Sequence, residues 1–96
     1  MDLYVIRRRG NWRGPAELEA TAVKSTAEGE KMSDEVRWIR TYAVEEEDGT
    51  LGTVCLYQGV SPEAIRRHAA NTGMSADEIV KVADTVIVRE DPVTVV

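Results

Sequence analysis

Two prolines set the frame of this chain. Pro15 follows Gly14, and Pro62 follows Ser61 and precedes Glu63. Proline loses nothing at the first position of a helix, where its N–H would have no partner, and its fixed φ is already helical. Ser61 adds an N-cap oxygen, and Glu63 a carboxylate suited to the helix dipole. Helices therefore begin at Pro15 and Pro62, and the rest must be strand or connection.

Asp2 to Arg8 alternates as a strand does, with Leu3, Val5 and Arg7 on one face and Tyr4, Ile6 and Arg8 on the other. Gly10 to Gly14 reads as a loop. The first helix offers the stripe Ala16, Ala20, Val23 and Ala27, and is expected to weaken or end at Gly29. Val36 to Val44 is a second strand; strict alternation puts Trp38, Arg40 and Tyr42 on one face and Ile39, Thr41 and Ala43 on the other. Asp48-Gly49 is a hairpin signal, and Leu51 to Gln58 returns with Thr53, Cys55 and Tyr57 together on one face. The second helix turns Ile65, His68, Ala69 and Thr72 inward, with Gly73 just past its end. Ser75 to Glu78 has capping-box spacing and predicts a short helical turn. A strand-like run follows from Ile79 through Val82, Val86, Ile87 and Val88, broken at Asp91-Pro92, with an apolar tail over 93–96.

The order is βαββαβ: a ferredoxin-like α+β fold, one domain over 1–96, with both helices on one face of a four-stranded antiparallel sheet. Two helices cover one face only, yet both faces of the first three strands carry large apolar residues. An exposed apolar face marks an interface. The expectation is a homodimer, a dimeric α+β barrel whose facing sheets enclose a small cavity, with the tail adding to a neighbour's edge strand.

The net charge of −5 disfavours non-specific nucleic-acid binding. The lone Cys55 can form no internal disulfide, which fits a reducing cytoplasm, and no apolar run is long enough for a membrane span. There is no Gly-rich phosphate loop, so no nucleotide cofactor is expected, and no nucleophile elbow or Ser/His/Asp set.

Chemistry must then come from few residues. His68 is either a core histidine or a metal ligand or general acid/base. Cys55 is either a small hydrophobe or a soft ligand for nickel, zinc or copper(I), and one Cys with one His needs further ligands to complete a site. Trp38, Tyr42 and Tyr57 are either plain packing or the wall of a ligand pocket. Arg40, on the Trp38/Tyr42 face, needs a partner or an anionic ligand. Arg7, Arg8, Arg9 and Arg13 form a strand end and loop, or an anion site at a cavity mouth. Glu45 to Asp48 is a solvated acidic turn whose spacing matches no calcium loop.

Trp38-x-x-Thr41-Tyr42, Cys55-x-Tyr57, Glu63-Ala64-Ile65-Arg66-x-His68-Ala69 and Gly73-Met74-x-Ala76-Asp77 resemble a family of small ferredoxin-like proteins of unknown function, one branch of which is nickel-binding. The resemblance covers about Val36 to Val88. It implies a dimeric ferredoxin-like fold and binding of nickel or another divalent transition metal, and Cys55, Tyr57 and His68 are what survives of the pattern here, with Cys55 and His68 as the metal ligands and Tyr42, Tyr57 or a carboxylate helping. Members commonly carry Trp-Val-His-Ser-Tyr where this chain has Trp38-Ile39-Arg40-Thr41-Tyr42. A guanidinium in place of that histidine disfavours a cation. Two functions follow. One is a divalent-metal, nickel-type binding protein using Cys55 and His68. The other is a cofactor-independent isomerase or cyclase acting on an anionic small molecule in the dimer cavity. There Arg40 would hold the anion, His68 would move a proton, and Tyr42 or Tyr57 would orient the substrate. A plain dimeric interaction module is the third possibility.

Overall fold

The computed structural model describes residues 1–76 and 78–92, which run β1 (Asp2–Trp12), α1 (Pro15–Lys31), β2 (Val36–Glu45), β3 (Leu51–Gly59), α2 (Pro62–Thr72) and β4 (Glu78–Lys81). The strands form one antiparallel sheet in the order β2-β3-β1-β4. This is the ferredoxin-like α+β arrangement expected from the βαββαβ order. The tail 93–96 lies outside the described residues, as does Asp77. No helix among the described residues is long and apolar enough to cross a membrane.

The caps of α2 form as expected. Ser61 Oγ accepts from the Ala64 amide at 3.2 Å, and Gly73 takes the left-handed conformation at φ 82°. There the Gly73 and Met74 amides close back on Ala70 and Ala69 at 3.0 and 2.8 Å. The core lies on the helix side of the sheet: Tyr4 and Ile6 from β1, Val36 from β2, Cys55 and Tyr57 from β3, and Ala64 and Ile65 from α2. The expected inward stripe of α2 is buried throughout.

Three local expectations are corrected. First, α1 does not bury its apolar stripe and does not stop at Gly29. Val23 is 68% exposed, and the inner face is Leu18, Thr21, Ala22 and Ser25. The cause lies beneath it. Tyr57 Oη and Trp12 Nε1 need partners, and Ser25 Oγ and Thr21 Oγ1 supply them at 3.2 and 2.9 Å. Stranding buried polar atoms costs about 1–3 kcal/mol each, more than leaving alanines in water.

Second, β2 carries a bulge. Trp38 pairs with Tyr57 and Arg40 with Leu56, so Ile39 is the extra residue. Alternation is reset there. Trp38, Thr41 and Ala43 lie across from Tyr57, Cys55 and Thr53, on the helix side. Arg40 and Tyr42 lie across from Leu56 and Val54, on the helix-free side.

Third, no helical turn forms over residues 74–76, because the Ser75 carbonyl accepts from Arg8 Nε at 2.7 Å. β4 is four residues long, and Val86, Ile87 and Val88 lie outside any strand and are exposed. The chain leaves the sheet after Val82 and carries Asp91 to Arg40 and Tyr42, at 3.0 and 2.6 Å.

Candidate functional site

The small inner face of α1 leaves space. Thr21, Ala22 and Ser25 are too short to fill the space above Thr53 and Cys55, and the two indoles, Trp12 and Trp38, complete the lining. The result is a partly open chamber of about 230 Å³ between α1 and the sheet, lined by those residues with Arg8, Leu18, Thr41, Ala43, Tyr57 and Met74. Its walls are largely apolar.

Arg8 is the exception. Period-two alternation puts it on the core face with Tyr4 and Ile6, and it is 3% exposed. Its Nε donates to the Ser75 carbonyl at 2.7 Å and its Nη1 to Cys55 Sγ at 3.5 Å. Arg7, Arg9 and Arg13 pair with Glu46, Glu78 and Glu17. Among the described residues no carboxylate pairs with Arg8. A buried cation is expensive unless something compensates it.

Cys55 Sγ also accepts from Thr41 Oγ1 at 3.2 Å, and Thr41 accepts from Trp38 Nε1 at 2.7 Å. Two donors thus converge on one sulfur at the chamber wall. Beside it, Thr53 Oγ1 is buried and, among the described residues, has no hydrogen-bond partner. Trp38 lies parallel to Tyr57, with planes 5° apart and centroids 6.0 Å apart.

The structure gathers Cys55, Tyr57 and Trp38 at this chamber but separates them from Arg40 and Tyr42. Arg40 is half exposed and bonded to Tyr42 and Asp91. Those two contacts raise its pKa further, the Tyr42 hydrogen bond most. Its anion is therefore the chain's own Asp91. His68 lies behind Tyr57, with ring centroids 5.5 Å apart; its Nε2 donates to the Ser25 carbonyl at 3.0 Å, and its buried Nδ1 has no partner among the described residues.

These residues do not fit a resident divalent metal within one chain. Among the described residues no three His, Cys, Asp or Glu side chains converge. A cation on Cys55 would also sit beside the Arg8 guanidinium, where repulsion reaches several kcal/mol even at an effective dielectric of about 20.

Burial pushes the Tyr57 phenol above its ordinary value, opposed by the hydrogen bond with Ser25. The folded state thus prefers the neutral phenol. Its contribution to stability is complete below the unfolded value of about 10 and is lost as pH rises from there through the folded value. Ultraviolet titration is expected to show a late-ionising phase that Tyr57→Phe removes. A titration curve left unchanged at high pH by Tyr57→Phe would contradict this.

Arg8 is the residue that sequence reasoning left undecided. The signal was present: its parity with Tyr4 and Ile6 places it inside, unlike Arg7 and Arg9.

The family profile described as "Nickel responsive protein SCO4226-like" matches residues 4–82, which include every residue lining the chamber. The crystal structure of SCO4226 from Streptomyces coelicolor A3(2) is similar with a TM-score of 0.70 and 22% identity, covering 88% of this chain and 99% of that one. At that identity the likeness shows the fold. Comparison with curated protein sequences gives no match. The extent of the profile match makes this chain a member of the SCO4226-like family of nickel responsive proteins.

Proposed function

We propose that the protein is a small-molecule-binding protein whose chamber takes an organic anion. The observation that carries this reading is Arg8, a buried guanidinium on the wall of an otherwise apolar chamber. Binding energy from an anion would offset the cost of burying it. The anion site expected at Arg40, between two sheets, is thereby moved to Arg8, within one protomer. An isomerase or cyclase would also need a proton-moving group at the ligand. His68 points its Nε2 at the Ser25 carbonyl instead, so binding without turnover asks less of these residues. The test is thermal unfolding with simple carboxylates in excess. A ligand that binds only the folded state raises the midpoint; no rise with any carboxylate would contradict the reading.

A second reading, nickel-type divalent-metal binding, is favoured by the family match and by the soft sulfur of Cys55 on the chamber wall. It needs ligands from outside the chain. Calorimetric titration of Ni²⁺ into the wild type, Cys55→Ala and His68→Ala decides it. Uptake lost in the variants supports metal binding there, and equal heats in all three reject it.

The same proposal includes a homodimer in a reducing, cytoplasmic setting. Leu3, Val5, Val54, Leu56 and Val80 lie on the helix-free side by the strand register, and a second copy would cover them. Light scattering on a sizing column tests this, and a monomer at every concentration would contradict it.

A further inference from the structure

We infer that the chamber's ligand is a planar aromatic carboxylate, with its carboxylate on Arg8 and Thr53 and its ring against Trp12, Trp38 and Tyr57. This rests on the reading of the chamber as an anion site and narrows it to one chemical class.

Three observations converge. The first is size. An apolar cavity of about 150 Å³ takes up benzene, so about 230 Å³ holds one aromatic ring with a carboxylate and leaves little for a second ring.

The second is the polar pair. Arg8 and Thr53 are 3% and 2% exposed, and both line the chamber. Among the described residues, Arg8 makes hydrogen bonds through Nε and Nη1 only, and Thr53 Oγ1 makes none. A guanidinium with free N–H groups beside an unpartnered hydroxyl is a donor set for a carboxylate. Buried polar atoms in native proteins are seldom left unpaired, so the Thr53 hydroxyl calls for a partner, and the guanidinium across the strand pair makes an anionic one favourable.

The third is the shape of the apolar remainder. Trp38 and Tyr57 stack on each other with planes 5° apart, a flat aromatic pair on one wall, and Trp12 lines the same space with its Nε1 tied to Thr21 at 2.9 Å. Aligned aromatic faces favour a flat ligand over a puckered one. An inorganic anion would satisfy Arg8 and leave the apolar walls uncovered.

Both tryptophans of the chain line the chamber, so intrinsic fluorescence reports occupancy directly. Benzoate, benzamide, cyclohexanecarboxylate and acetate are titrated into the wild type, Thr53→Val and Arg8→Lys. Benzoate is expected to give a saturable change, with each of the other three probes at least tenfold weaker. Thr53→Val, which keeps the shape and removes the hydroxyl, is expected to weaken benzoate about three- to tenfold, in line with loss of one hydrogen bond to a charged group. Arg8→Lys keeps the charge but loses the planar fork, and weakens it as well. If cyclohexanecarboxylate or acetate binds as tightly as benzoate, the aromatic assignment falls and the anion reading stands. If benzamide matches benzoate, or no probe binds, both fall. Unchanged benzoate affinity in Thr53→Val and Arg8→Lys would overturn the placement of the carboxylate.

Discussion

Replacing Ile6 by alanine is expected to cost about 3–4 kcal/mol of folding stability. Ile6 is fully buried at the centre of β1, across from Cys55 on one side and Ile79 on the other. Truncating such a residue loses its transfer free energy and leaves a cavity that strands on both sides cannot collapse to fill. A domain of this size has about 5–10 kcal/mol in all, so the variant should unfold at much lower urea concentration with a similar slope. Ile39→Ala is the control. Ile39 is the bulge residue and is 46% exposed, so its truncation should cost less than about 1 kcal/mol. Equal losses at the two positions would mean that the bulge is misplaced and that Ile39 belongs to a packed face.

The second large effect separates structure from function at Arg8. Arg8→Met is expected to keep or raise stability while lowering carboxylate affinity at least tenfold. Methionine approximates the volume of the arginine stem and is flexible enough to follow its path. Replacing a buried charge by a well-packed apolar side chain is often neutral or stabilising. Bound to an anion, the guanidinium contributes about 1.5–3 kcal/mol per charged hydrogen bond, which the methionine cannot supply. Urea unfolding without ligand and carboxylate titration on the same preparation give both readouts. A variant that loses several kcal/mol would make Arg8 a structural residue; one that binds as before would remove it from the site.

The fold was largely legible because its punctuation is local. Pro15, Ser61-Pro62 and Gly73 mark helix ends through backbone geometry alone, and Asp48-Gly49 marks the hairpin, so the order of elements followed. The site was less legible, because it depends on two non-local choices. The Ile39 bulge is invisible to alternation, yet it decides that Trp38 faces the chamber while Arg40 and Tyr42 do not. Likewise α1 was read by its apolar stripe, Ala16, Ala20, Val23 and Ala27. What orients it is the demand of Tyr57 and Trp12 for hydroxyl partners, met by Ser25 and Thr21. Both misreadings fall at the chamber, where polar satisfaction outranks hydrophobic pattern. Period-two parity worked where β1 is regular, and it placed Arg8 correctly beside Tyr4 and Ile6. The short β4 was overcalled because Val82 and the Val86–Val88 run look like strand, although the chain turns away to bring Asp91 to Arg40.

The most direct measurement is amide chemical-shift mapping during titration with benzoate. The largest changes are expected at Arg8, Thr53, Cys55, Tyr57 and Trp38, on the side of the sheet that α1 covers. Changes centred on Arg40, Tyr42 and Leu56, on the helix-free side, would contradict the chamber as the binding site.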